Sequence, residues 1–245
     1  MDTRFLPKFT FGFVMAQLFP GAVTILALSC PPMAVKVQGE TRAVDFLLSV
    51  CNAWFDSVPR AITFLFLAVG TGMMIHGLQW TVLAWLEKHK DPQNLQAAHR
   101  MFYHAKFPVV LQILLGPFIM ICEFGWILAT CRDLDRLLME ENAPFLNPED
   151  MPVFNFLQEF YLHFAQFYAH TAYALLVSVP CMAATWSILG YTPNRWILVA
   201  GLYLSAGAFF ILGRVQLGSL FSAEWDLRKP SSKDEDGSEK SEERP

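Results

Sequence analysis

The sequence predicts an all-α integral membrane protein: a bundle of about five transmembrane helices with interfacial amphipathic helices and a disordered C-terminal tail. Of 245 residues, 54% are hydrophobic and only 16% are charged, and the mean hydropathy is +0.34. A soluble domain of this composition would lack the polar surface needed to cover itself. Several apolar runs also reach the roughly 20 residues that a helix needs to cross a bilayer core about 30 Å thick.

Five apolar runs are predicted to span the membrane, and the first three contain no Lys, Arg or Asp. Aromatic residues, which prefer the headgroup level, stand near several of their ends, as Trp85 and Tyr191 do. No alternating ten-residue pattern indicates a barrel, so we expect the spans to be helices. The predicted spans are 11–35, 61–85, 107–130, 170–191 and 196–213.

The first span contains "LFPGAVTILALSCPP", residues 18–32, which could also belong to a signal peptide. A signal peptide usually has an apolar core of only about 7 to 15 residues, and this run is longer and interrupted by Pro20. We therefore expect a retained helix that is kinked at Pro20 and ends at Pro31 and Pro32. Lipidation of Cys30 is a less favoured alternative.

Two segments between the spans are predicted to be amphipathic helices at the membrane surface. Residues 40–60 place apolar side chains at helical spacing, with charged residues elsewhere, and residues 148–168 show a similar pattern. The second segment is predicted to continue into the fourth span. After Leu227 the chain has no large apolar residue, so 1–227 is predicted to be the helical membrane domain and 228–245 a disordered charged tail.

Basic residues are enriched in cytoplasmic loops, and in this chain they favour two opposite membrane orientations. The loop 87–106 carries four Lys or Arg residues, whereas the loop 131–169 carries only two, together with seven acidic residues. This difference favours a cytoplasmic loop 87–106. The basic residues of the tail and of the segment 36–60 favour the opposite side. We expect a multi-pass protein of a cell membrane, with a slight preference for a cytoplasmic tail.

Glu123 is the only acidic residue within a predicted span. It lies on one helical stripe with Gln112 and Gly116, which indicates that this stripe faces protein or water rather than lipid. If the second and third spans are antiparallel, Glu123 lies near the level of Tyr173 and Ser178, and either is its expected partner. The alternative to a functional carboxyl group is a structural hydrogen-bonding role between helices.

His76 lies on a comparable stripe of the second span, together with Ala68, Gly72 and Gln79. The small residues of this stripe invite close contact between helices. The same antiparallel arrangement would place Gln79 level with Gln112, and His76 level with Gly116. For a single histidine in a span, hydrogen bonding between helices is the favoured role, and proton transfer or ligand binding is the alternative.

A further polar row occupies one face of the helix that precedes the fourth span. Its imidazoles and carboxylate could serve as metal ligands, but no second helix offers a matching pair. We therefore expect a wet face at the membrane surface, with no metal. The row consists of Glu159, His163, Gln166 and His170.

No catalytic sequence pattern is present, and two functional hypotheses remain. The favoured one is a non-enzymatic membrane protein that acts by association, as a scaffold, an accessory subunit or an oligomeric pore. Its partners would be the lipid bilayer, further copies of the chain, and proteins that bind the 131–169 loop or the tail. The faces expected between copies are those of Ala68 and Gly72 and of Gly201 and Ser205.

The alternative is an intramembrane enzyme or proton-coupled carrier centred on Glu123, with His76 or His170 assisting. Substitution of Glu123 by Gln separates the two hypotheses, since it would abolish turnover or flux but leave a scaffold nearly intact. No cofactor and no nucleic-acid partner are predicted under either hypothesis.

Overall fold

The computed structural model describes residues 14–37, 42–88, 108–130, 152–153, 162–190 and 193–227. Within these ranges the chain is helical, and the predicted all-α membrane bundle is confirmed. The elements are a π-helical segment Val14–Leu18 and the helices α1 Phe19–Val37, α2 Ala43–Phe55, α3 Val58–Lys88, α4 Val109–Thr130, α5 His163–Ile188 and α6 Pro193–Leu227.

Within the described residues, four helical stretches are long and apolar enough to cross a membrane, which supports a multi-pass membrane protein. They are Val14–Val37, Val58–Gln79, His163–Ile188 and Pro193–Leu217. The predicted third span corresponds to α4, whose apolar part with described side chains is shorter and covers Val109–Cys122. The predicted tail, 228–245, lies outside the described residues.

The first helix continues through both prolines at which it was expected to end. Pro31 and Pro32 lie inside α1, which reaches Val37. The φ angle of proline is compatible with a helix, and a lost backbone donor is tolerated where tertiary packing holds the chain in place. Cys30 and Ala34 supply that packing, because both are buried in the cluster that α1 forms with α2, α5 and α6.

Two glycines allow α1 and α3 to pack with their backbones in direct contact. A Cβ atom added to Gly21 would lie 1.8 Å from the carbonyl oxygen of Ala68, and one added to Gly72 would lie 2.0 Å from that of Gln17. Since Gly21 is near Ala68 while the earlier Gln17 is near the later Gly72, the two helices are antiparallel.

The direction of α5 follows from its contacts with the first helix. His170 contacts Ala16 at one end of the bundle, while Trp186 lies in one cluster with Ala34 at the other. The helices α1 and α5 are therefore parallel. We call the first of these ends the Val14 end and the second the α2 end.

The helix α4 runs in the same direction as α3, which corrects the expected antiparallel arrangement. It packs along α6, where the hydroxyl of Tyr203 donates to the carbonyl of Leu114 at 2.8 Å and Phe210 contacts Met120. The matching order of these contacts makes α4 parallel to α6. Because α6 returns from the α2 end alongside α5, with Gly213 beside Ala169, α3 and α4 both run toward the Val14 end.

The physical reason for this arrangement is a close approach between α4 and α6. A Cβ atom on Gly207 would lie 2.0 Å from the carbonyl oxygen of Ile113, and Gly116 lies against Gly207. Small residues that permit backbone contact determine the partner of a membrane helix. Gly116 consequently faces α6, and not His76 as expected.

The helix α2 confirms the predicted amphipathic helix within residues 40–60 and closes the α2 end of the bundle. Phe46 and Val50 are buried against the other helices, and the Phe46 ring packs edge-on against Trp186 at a centroid distance of 5.6 Å. Val44 and Leu48 on the opposite side are exposed. This division is typical of a helix that seals a bundle on one face and meets lipid on the other.

Candidate intramembrane polar site

A polar cluster lies inside the bundle where the π-helical segment, α3 and the first half of α5 meet. Its central contact is a hydrogen bond between Nδ1 of His170 and the carbonyl oxygen of Ala16. Both residues are buried, and His170 has no exposed surface. The carbonyl belongs to the π-helical segment Val14–Leu18, a type of helical turn that often occurs at functional sites.

The hydrogen bond to Ala16 defines the tautomer of His170. A carbonyl oxygen can only accept, so Nδ1 of the ring carries the hydrogen and donates it. In the neutral imidazole the other nitrogen, Nε2, then has a lone pair and no hydrogen. Nε2 is buried and has no hydrogen-bond partner within the described chain. The site therefore presents an unused basic nitrogen inside the bundle.

His76 brings a second imidazole to the same place from α3. Its ring packs edge to face on that of His170, with a centroid distance of 5.3 Å and an interplanar angle of 87°. The two residues are 94 positions apart in the chain, 76 against 170, so only the fold brings them together. We refer to these two residues as the histidine pair.

Further buried polar atoms without a hydrogen-bond partner in the described chain lie around the histidine pair and on its Val14 side. Gln79 is 4% exposed and leaves both its amide nitrogen and its amide oxygen unpaired. The remaining atoms of this group are Oε1 of Gln17, Nδ1 of His163 and Oγ1 of Thr171. Each such atom costs about 1–3 kcal/mol when it stays unpaired in an apolar interior, so their concentration in one region indicates a use.

In the half of the bundle toward the α2 end, the buried polar side chains are mostly paired. There the hydroxyls of Thr24, Ser178 and Thr185 each donate to the carbonyl four residues earlier in their own helix, at 2.7–2.9 Å. Of the side-chain atoms described in that half, only Nε1 of Trp186 is buried without a partner. The two halves therefore differ in polarity and in how completely their polar groups are paired.

The polar row expected to form a wet surface lies largely in the interior. Gln166 and His170 are buried, and His163 is partly buried, because the π-helical segment and α3 cover this face of α5. Glu159 lies outside the described residues. The part of the row that is described therefore belongs to the same buried site as His76, a link between two sequence stripes that spacing alone did not reveal.

Of the two residues predicted to partner Glu123, Tyr173 lies beside α4 and Ser178 is paired within its own helix. Glu123 is described through its backbone alone. Ser178 donates its hydroxyl to Ala174 within its own helix at 2.7 Å, and Tyr173 packs against the cluster of Met120 and Phe210. Gln112 lies toward the α2 end of α4 and Gln79 toward the opposite end of α3, because these two helices are parallel. The expected pair of glutamines is therefore not formed.

The two faces expected to join copies of the chain have different positions. Ala68 and Gly72 are buried under α1 within one chain, so this face cannot meet a second copy, and that part of the prediction is corrected. Gly201 has no atom within 4 Å of an added Cβ, and Ser205 is exposed on the same face of α6. The second face is open.

Three members of the site were missed at the sequence level, namely the carbonyl of Ala16 and the side chains of Gln17 and Thr171. The carbonyl of Ala16 had a signal in Pro20, four positions later, because proline has no backbone N–H to donate to that carbonyl in an α-helix. Gln17 carries a usable signal, since it is a polar residue in the predicted first span, four positions before Gly21.

The chemistry available at the site is that of neutral hydrogen-bonding groups and imidazoles. Among the described side chains, no three His, Cys, Asp or Glu residues converge as metal ligands. The imidazoles can accept and release protons, and the glutamines can donate to and accept from small polar molecules.

Comparison of this chain with protein-family models, with curated proteins and with solved structures finds no match.

Proposed function

We propose that this protein is a membrane carrier that handles protons at the histidine pair. The observation that supports it best is the buried Nε2 of His170, which the hydrogen bond from Nδ1 to Ala16 leaves as a proton acceptor. An ionisable residue inside a membrane bundle is costly, and such residues commonly mark ion or proton pathways. His76, in ring contact with His170, is the nearest described group that can exchange protons with it.

The proposed step is a proton relay that leaves both rings unchanged. A proton arriving from the Val14 end binds the lone pair on Nε2 of His170, which forms an imidazolium ion. The bond from Nδ1 to the Ala16 carbonyl persists and stabilises the positive charge, because a hydrogen bond from a charged donor is stronger. Release of a proton from Nε2 restores the starting tautomer.

This proposal keeps the carrier hypothesis derived from the sequence but moves its centre from Glu123 to the histidine pair. Glu123 remains a candidate for the later part of a proton pathway, because it is the only acidic residue in the predicted spans. Its substitution by Gln remains a useful test, with abolished flux and retained abundance as the expected result.

The decisive experiment compares His170→Asn with the natural chain in sealed proteoliposomes. The amide nitrogen of Asn can occupy the place of Nδ1 and donate to Ala16, but Asn has no group equivalent to the basic Nε2. An imposed membrane potential should drive proton uptake, followed with an internal pH dye, in vesicles with the natural protein. His170→Asn should reduce that uptake to the level of protein-free vesicles.

Ser178→Ala is the matched control, since Ser178 is also buried in α5 but donates within its own helix. It should retain uptake. Equal uptake by His170→Asn and the natural chain would contradict the proposal. The proposal would also be contradicted if vesicles with the natural chain took up no more protons than protein-free vesicles, under either an imposed potential or an imposed solute gradient.

A second candidate function is association, the role favoured by the sequence. The open face of Gly201 and Ser205 supports it, because small residues four positions apart on an exposed face allow close contact between membrane helices. Under this proposal a second copy of the chain packs there, and partner proteins bind the 131–169 loop or the tail.

Crosslinking tests this second candidate. A cysteine at Ser205 should form a crosslinked dimer in membranes, and the additional substitution Gly201→Leu should abolish the dimer by separating the helices. A dimer that persists with Leu at position 201 would exclude this face. Gly70→Leu is the control, because Gly70 also has open space around it but lies on α3.

A further inference from the structure

We infer that the polar atoms around the histidine pair hold a file of water molecules that is open to the aqueous phase at the Val14 end only. This water file rests on the proposed proton-handling function, since a proton needs such a path to reach His170. The ligand is water, and the binding groups are Gln17, Gln79, His163, His170 and Thr171.

The first line of support is the number and chemistry of these atoms. Side chains of Gln79, His170 and Thr171 are each at least nine-tenths buried, and each has a polar atom without a partner in the described chain. Buried water typically makes about three hydrogen bonds to groups that would otherwise be unpaired. Because the set mixes donors and acceptors and includes no described charged side chain, water fits it better than an ion.

The second line of support is the placement of these atoms along the bundle. His163 precedes His170 on α5, and Gln79 follows His76 on α3. Because α5 runs away from the Val14 end and α3 runs toward it, His163 and Gln79 lie on the Val14 side of the histidine pair. Gln17 and Thr171 follow Ala16 and His170 directly, so they lie level with the pair. His170 lies seven residues beyond His163, about 10 Å of helical rise. The groups thus lie at the histidine pair and on its Val14 side, as a path from that side requires.

The third line of support is the seal on the other side of the pair. Beyond His170, the hydroxyls of Thr24, Ser178 and Thr185 are paired within their own helices. The buried cluster of Phe46, Val50, Met182 and Trp186 then closes the α2 end. Among the side-chain atoms described there, only Nε1 of Trp186 is buried without a partner, so water entering from that end would find no series of binding groups. The path is therefore one-sided.

Cysteine accessibility tests the inference in sealed vesicles. Gln17→Cys and Gln79→Cys are introduced separately into a full-length chain whose five native cysteines are replaced by alanine or serine. A small, charged, membrane-impermeant thiol reagent is then added to one side or the other. Both cysteines should react from the same single side, and Ser178→Cys, the control in the sealed half, should react from neither.

Reaction of Gln17→Cys and Gln79→Cys from neither side would overturn the inference, as would reaction from both sides. Reaction of Ser178→Cys would remove the seal on which one-sidedness depends. Each variant is compared with its parent in abundance and in thermal unfolding, so that a failure to fold is recognised.

Radiolytic footprinting of the unmodified protein gives an independent test that needs no substitution. Hydroxyl radicals formed from bound water should oxidise His76 and His170. Met182 and Trp186 are intrinsically more reactive, but they should remain unmodified because their end of the bundle is sealed. Unmodified histidines, or modification of Met182 and Trp186 to the same extent, would contradict the water path.

The two proposals fail in different ways. If the accessibility pattern is found but His170→Asn has no effect on proton uptake, the water file stands and the carrier function falls. If uptake depends on His170 but Gln17→Cys and Gln79→Cys are inaccessible, the carrier function stands and its proton must arrive by another route.

Discussion

At the residue scale, a buried polar side chain is defined by what each of its atoms contacts. Arg195 is 6% exposed, and its guanidinium donates to the carbonyls of Leu189 and Gly190, both at 2.8 Å. These carbonyls follow Ile188, the last residue of α5, where no further helical turn supplies donors. The guanidinium also lies over the Trp186 ring at 5.5 Å. One side chain thus holds the turn between the last two helices.

Substitution of Arg195 by Ala should lower the stability of the bundle by about 1–3 kcal/mol, because two carbonyls lose a charged donor. The stability of Arg195→Lys should lie between that of Arg195→Ala and that of the natural protein, since an ammonium cannot reproduce the planar fork of a guanidinium. The measurement is the midpoint of thermal unfolding in detergent.

Arg60→Ala is the control for Arg195, because Arg60 forms an exposed ion pair with Asp56 one turn away in the chain. Exposed pairs contribute only about 0–1 kcal/mol. A midpoint for Arg195→Ala as high as that of Arg60→Ala would show that the turn between α5 and α6 does not depend on the guanidinium.

Individual residues show why the site was only partly predictable. His76 and Gln79 could be singled out because they are polar within an apolar run. The pairing of His76 with His170 could not, because it depends on the relative rotation of two helices that are distant in sequence. Pro20 signals that the Ala16 carbonyl lacks its α-helical donor, but the contact of that carbonyl with His170 depends on the packing of helices distant in sequence.

At the element scale, glycines set the distance between helices. Gly72 lies against the Gln17 carbonyl, whereas Gly70 on the same helix has nothing within 4 Å of an added Cβ. The two positions are therefore a matched pair, because their helix propensities are the same and their surroundings differ.

Gly72→Ala should destabilise the protein by about 1–3 kcal/mol, since the added methyl group must push α1 away from α3. Gly70→Ala should be neutral or stabilising by up to about 1 kcal/mol, because alanine favours a helix over glycine. Thermal unfolding in detergent measures both. A destabilisation by Gly70→Ala as large as that by Gly72→Ala would contradict the packing of α1 on α3.

The helices themselves were largely predictable, since length and apolar character identify a membrane helix without knowledge of its neighbours. Their ends were less so. Pro31 and Pro32 signal a helix end in isolation, but burial of Cys30 and Ala34 carries α1 past them. Packing energy that arises only in the assembled bundle overrides the local signal.

At the scale of the whole molecule, the direction of α4 changes which parts of the chain share a side. Lys36 and Arg60 lie near the α2 end, while Arg214 lies near the Val14 end, beyond Gly213 and its contact with Ala169. In the five-span prediction Arg214 follows the last span and shares a side with Lys36 and Arg60, because each span was assumed to cross the membrane.

Reporters of membrane side should therefore give opposite results at two positions, one inserted at residue 40 and one fused after Leu227. An alternating arrangement of five crossing spans would place both reporters on the same side. Paired fusions to a reporter active in the cytoplasm and to one active outside it decide between the two, and identical results at both positions would contradict the parallel arrangement of α3 and α4.

The π-helical segment also has a consequence for how this chain could vary. A π-helical turn accommodates one residue more than an α-helical turn, so Val14–Leu18 is equivalent to a single-residue insertion at the start of α1. Deletion of Leu18 would restore α-helical geometry and turn the preceding residues by about 100° around the helix axis. Gly21 and the rest of α1 would stay in place, while the Ala16 carbonyl would leave His170. The Gln17 carbonyl would leave Gly72 as well. The loss of one codon would thus remove the proposed activity together with one of the two close backbone contacts between α1 and α3.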